Sequence, residues 1–226
     1  MHALDALPLY DQAILVMAAL VLFSAFALLG QSRMFSLITV FAWQGALLAI
    51  TSALVAFSTG QHHLYISAAL TLALKAILIP WMLTRMVTHL GVRQEAEALG
   101  RPALVLLAGA ALVVFSYYVS LPIVHLSTLV TRNTIGISLA IVLLSMLLMI
   151  TRRQAMSQVV GFMAIENGLF FAAVASTAGM PMIVELGIAF DVLVAAVLFG
   201  VFFLHLRDTI DSLDVDRLNR LNEDVD

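Results

Sequence analysis

The sequence has no cysteine. That one absence excludes disulfides, thiolate-bound iron–sulfur clusters, thiol catalysis and c-type haem attachment. Charge is scarce too, at 11% of 226 residues against about a quarter in a soluble domain. With 62% hydrophobic residues and a mean hydropathy of +1.06, the composition is that of an integral membrane protein. The net charge of −3 excludes a basic nucleic-acid binder. No phosphate loop occurs and no segment could hold a soluble catalytic domain, so no catalytic site, metal site or cofactor is expected in this chain. The first twelve residues carry Asp5 and Asp11 but neither lysine nor arginine. A secretory signal needs a basic start, so the first apolar run is read as a true span.

What is present is seven apolar runs, at about 13–30, 34–57, 64–87, 103–124, 134–150, 155–178 and 181–206. They lack the alternation of barrel strands, which predicts an all-α bundle of seven transmembrane helices. Basic residues in the connections set the orientation. Arg33, Arg85, Arg93, Arg101, Arg152, Arg153, Arg207, Arg217 and Arg220 fall on one side, and Arg132 alone on the other. The N-terminus is therefore expected outside and the C-terminus inside. Four stretches follow: a three-helix unit (1–88), a charged cytoplasmic loop with a connector helix (89–133), a second three-helix unit (134–206) and an acidic tail (207–226). The two triplets read as parallel copies. Each has a basic turn after its first helix, a central polar residue before a small one (Gln44-Gly45, Glu166-Asn167-Gly168), and a third helix with a central charge. In the tail, acids alternate with Ile210, Leu213, Leu218 and Leu221, a spacing that suits an amphipathic helix against a partner subunit.

Three ionisable residues stand inside these runs: Lys75, Glu166 and Asp191. Each costs about 2.5–3.5 kcal/mol at mid-membrane on insertion scales, so each needs a reason. Glu166 lies thirteen residues beyond Arg153, about 20 Å of helix at the usual rise, which places it near the midplane. Asp191 occupies the next helix and could pair with Lys75. Lys75 precedes Pro80, whose ring clashes with the Ala76 carbonyl. Ser67, Thr71 and Lys75 share one face at 100° per residue, forming a polar stripe that runs outward from the charge. A lysine can exchange its proton, whereas an arginine cannot. Opposite Glu166, the small residues Gly161 and Gly168 form a helix-packing seam. Glu185 and His125 are candidates for proton uptake or release. The histidines fall at helix ends or in loops rather than within spans, which argues against haem.

Residues 134–206, with the Arg152-Arg153 turn, central Glu166 and central Asp191, resemble the K subunit of bacterial complex I and the C subunit of Mrp antiporters. With its extra N-terminal helices, the whole chain is similar to hydrogenase-4 component E, a membrane subunit of group 4 nickel–iron hydrogenases and formate hydrogenlyase complexes. Two departures stand out. Asp191 replaces a glutamate of the K subunit, and the connection between the acid-bearing helices is shorter. The resemblance implies that Glu166 and Asp191 belong to a hydrophilic axis at mid-membrane. It also implies partner membrane subunits, with the NiFe centre and iron–sulfur clusters in other chains. The function expected is a non-catalytic, multi-pass inner-membrane subunit contributing Glu166, Asp191 and Lys75 to a proton path. An Mrp-type antiporter subunit, or a scaffold whose charges only bind neighbours, are the alternatives.

Overall fold

The structure is a computed structural model that describes residues 9–60, 62–89, 102–122, 129–176 and 186–201. Among the described residues the chain forms seven helical rods. These are α1 (Leu9–Gly30), α2 (Met34–Thr59), α3 (62–89), α4 (Pro102–Ser120), α5 (Leu129–Thr151), α6 (Ala155–Ser176) and α7 (Leu186–Val201). All but α7 are long and apolar enough to cross a membrane. The Val87–Pro102 loop apart from its helical ends, His125, Glu185, and the acidic tail lie outside the described residues, so the expectations placed on them are not addressed.

Backbone groups in hydrocarbon must be satisfied within the segment, and the sequence supplies the ends accordingly. Pro102 opens α4, where its missing N–H is no loss. Gly60 closes α2 at φ 68°, a left-handed conformation, and its N–H bonds the Ala56 carbonyl. Ser58 and Thr59 both donate to the Val55 carbonyl in the same turn. The helix over the fifth apolar run is longer than that run. It begins at Leu129, because a helical backbone satisfies itself wherever hydropathy ends.

The third rod departs most from expectation. Its segments His62–Thr71 and Ile79–His89 are α-helical, but Leu72–Leu78 between them is a π-helix. The Ile79 N–H bonds the Leu74 carbonyl, five residues back. Pro80 has no N–H to give the ladder, and the chain takes the wider turn immediately before it. The regular 100° step therefore holds from Ser67 to Thr71 and fails beyond. Lys75 sits in the middle of the irregular turn.

Helix α2 is the central rod, packed on α1, α3 and α6, while α5 packs on α1, α4 and α6. Phe41, Leu48, Leu83, Ile141, Leu144 and Phe171 are among the fully buried side chains that join these helices. Phe162 and Phe190 meet edge to face at 5.4 Å between α6 and α7. Phe23, Phe57, Ile66, Ile77, Leu107 and Leu186 are exposed, an apolar exterior suited to lipid. Helix α4 is the most peripheral of the six spans.

Candidate functional site

The three intramembrane charges converge. Lys75 is completely buried, and its ammonium donates to Glu166 Oε2 of α6. On its other side Asp191 Oδ1 of α7 lies at 3.5 Å. The π-turn aims the lysine inward, while α6 and α7 each bring one carboxylate. Attraction between charges at such distances amounts to about 4 kcal/mol at an effective dielectric of 20, and it offsets the cost of taking each charge out of water.

Two amides extend the cluster. Lys75 Nζ donates to Asn167 Oδ1 at 2.9 Å, and Asn167 Nδ2 donates to Gln44 Oε1 of α2 at 3.0 Å. Both amides are fully buried. The Phe170 ring completes the shell, with its centroid 5.0 Å from Nζ, a cation–π contact. In the sequence Gln44 and Asn167 stand out only as matching positions of a repeat, beside Gly45 and Glu166. Their signal was a polar residue inside an apolar run, the same one that marked the charges.

Close backbone approach makes this convergence possible. A Cβ added at Gly45 would stand 2.9 Å from Lys75 Cβ and 3.0 Å from its carbonyl carbon, so α2 packs directly on the π-turn. On the far side of α6, a Cβ at Gly168 would meet Val142 Cγ2 at 2.9 Å. One at Gly161 would meet Met149 Cβ at 3.2 Å. Both glycines thus face α5, with Glu166 directed away from it. At Gly187, where a Cβ would come within 3.0 Å of Glu166 Oε1, α7 leaves room for the carboxylate. Beside it a largely apolar groove of about 520 Å³, bounded by Phe162, Leu169, Leu186 and Leu193, runs between α6 and α7. Glu166 is on its wall and 14% exposed, the most accessible of the three charges.

At the turns, Arg152 is buried and donates through Nη2 to the carbonyls of Leu29 and Gln31 at the end of α1. Gln158 donates to the Arg152 carbonyl at 3.1 Å, and Ser157 contacts Met34 Sδ at 3.8 Å. Arg152 thus ties the turn between α5 and α6 to the end of α1. Burial pulls its guanidinium down from the usual pKa.

The Mycobacterium tuberculosis protein Rv0085 is 35% identical over 189 residues, which cover 83% of this chain and 86% of that protein. The chain belongs to the Rv0085 family. Hydrogenase-4 component E of Escherichia coli and of Shigella flexneri is 25% identical over 160 residues, covering 71% of this chain and 74% of the relative. No family model and no solved structure matches. This chain is a multi-pass helical membrane protein, and its described residues place polar groups inside the bundle.

Proposed function

We propose that the chain is a non-catalytic membrane subunit of a hydrogenase-type complex in a bacterial inner membrane, and that Glu166 and Asp191 carry protons through it with Lys75 between them. The observation that carries this reading is the fully buried Lys75 ammonium set between carboxylates from two other helices. The charge count gives it a mechanism. One lysine against two acids leaves a single negative charge when all three are ionised, and one bound proton makes the cluster neutral. A buried cluster avoids net charge, so it is suited to accepting and releasing one proton at a time.

The similarity to hydrogenase-4 component E supports membership of such an assembly, with the NiFe centre and iron–sulfur clusters in partner subunits. Moving one charge across the membrane is worth about 2.3 kcal/mol per 100 mV, a size that a redox reaction can supply. Basic residues in the turns favour an outside N-terminus. A parallel repeat is supported by pairing of like with like: α1 with α5, α2 with α6, Gln44 with Asn167 and Lys75 with Asp191.

A second reading is a scaffold in which the ion pairs only hold helices together. It draws on the lysine being unexposed and already bonded to two side chains. Glu166→Gln separates the two, since the amide keeps size and hydrogen bonding but has no proton to pass. In the assembled complex reconstituted into vesicles, proton translocation should fall about tenfold or more while subunit composition is unchanged. Unaltered translocation in a fully assembled complex would leave only the scaffold.

A further inference from the structure

Buried hydroxyls in this bundle normally close their hydrogen bonds on their own helix. Ser24, Thr51, Ser116, Ser120, Ser138 and Ser145 each donate to a carbonyl three or four residues back, at 2.7–2.8 Å. Between α2 and α3 three atoms behave differently. Gln44 Nε2, Ser52 Oγ and Thr71 Oγ1 have no hydrogen-bond partner among the described residues, although all three residues are 0% exposed. An orphaned buried polar group costs about 1–3 kcal/mol in a protein interior, and an apolar side chain would avoid that cost.

Their positions are ordered. Helices α2 and α3 are antiparallel across the Gly60 turn and touch where Gly45 meets Lys75. Counted from that contact toward the turn, Thr71 lies four residues out on α3, at the last regular α-helical position before the π-turn. Ser52 lies seven residues out on α2 and Ser67 eight out on α3, about 10–12 Å from the contact and level with each other. Gln44 is at the start, beside Lys75 and bonded into the cluster through Asn167. The polar groups thus form a single file leading from the charges to the α2–α3 turn. A water molecule has two to four hydrogen bonds to offer and partners such groups well.

We propose that Gln44, Ser52, Ser67 and Thr71 line a file of bound water that carries protons between Lys75 and the α2–α3 end of the molecule. This rests on the reading of the cluster as proton-carrying and adds the route by which it is supplied or emptied. Each water, and the Thr71 hydroxyl, accepts a proton on its oxygen and gives another to the next oxygen, so nothing but O–H bonds forms or breaks.

The chain's lack of cysteine allows a direct test. In the complex, the infrared S–H band of Thr71→Cys or Ser52→Cys is isolated by subtracting the spectrum of the unsubstituted complex. On transfer to heavy water each should convert to S–D about tenfold or more faster than Ala18→Cys, a fully buried position in α1 whose exchange waits for local opening. In the same complex, Thr71→Val with Ser52→Ala should cut translocation about fivefold with assembly intact, while Thr71→Ser retains it. Exchange as slow as at Ala18 overturns the water file whatever Glu166→Gln does. Fast exchange with undiminished translocation in the double variant, where Glu166→Gln abolishes it, overturns the route and leaves the carrier reading standing. A harmless Glu166→Gln strikes the carrier reading and with it the route.

Discussion

Lys75 and Arg152 are both buried cations in the same bundle, and they meet different partners. Lys75 sits in the π-turn among two carboxylates and an amide. Arg152 sits at a turn and donates to the backbone carbonyls of Leu29 and Gln31. Carbonyls are fixed, neutral acceptors, and a guanidinium does not give up its proton in a protein, so the Arg152 contact can only hold. Carboxylates can take the proton that an ammonium can give, so the Lys75 contact can also change. The choice of cation and the choice of acceptor agree at each place. What separates a joint from a switch is the chemistry of the partner.

The largest expected effect comes from removing the lysine. Lys75→Met leaves two carboxylates facing each other without their cation, and such removals cost about 3–5 kcal/mol. Assembled complex should be largely lost from membranes, as read by native gels. Adding Asp191→Asn lowers the unpaired charge, so the double variant should assemble better than the single one. If the two accumulate equally, Asp191 at 3.5 Å contributes nothing to holding the lysine.

Arg152→Met should be milder and of a different kind. It strips the Leu29 and Gln31 carbonyls of their donor, at a cost of about 1–3 kcal/mol. The expected outcome is a lower melting temperature in detergent, with unchanged translocation per assembled complex. Arg152→Lys should recover only part of the stability, because the ammonium is more strongly hydrated than a guanidinium and costs more to bury. A loss of translocation in stable, assembled Arg152→Met would break the distinction between joint and switch.

How much of this was legible in the sequence follows the same division. Lys75, Glu166 and Asp191 were readable because a charge in an apolar run is conspicuous, and each must be buried against something. The pairing of Lys75 with Asp191 follows from the same reasoning, but the approach of Glu166 to the same ammonium does not. The π-turn changes the angular step at Lys75, and no regular-helix projection places its ammonium against both acids. Arg152 was readable as a topological marker, yet nothing local tells which of Arg152 and Arg153 turns inward. That is decided by the carbonyls of α1, more than a hundred residues earlier in the chain. Gln44 and Asn167 were noticed as matching positions of two triplets, but the hydrogen bond between them exists only once α2 lies on α6.

The smallest effect expected is at the edge of the cluster. Phe170 presents its ring face to the Lys75 ammonium at 5.0 Å, and it also lines the groove beside Glu166. Phe170→Leu keeps an apolar side chain of similar reach but removes the ring quadrupole, worth about 0.5–2 kcal/mol between exposed and desolvated settings. The same ring also fills space, so some packing loss accompanies any electrostatic one. Phe171, fully buried on the same helix, supplies the control because the cation–π contact with Lys75 is made by Phe170. If the ring stabilises the charged lysine, Phe170→Leu should alter translocation as well as melting temperature, while Phe171→Leu should lower melting temperature alone. If both variants change only stability, the ring is packing, and the switch ends at the two acids and the amide.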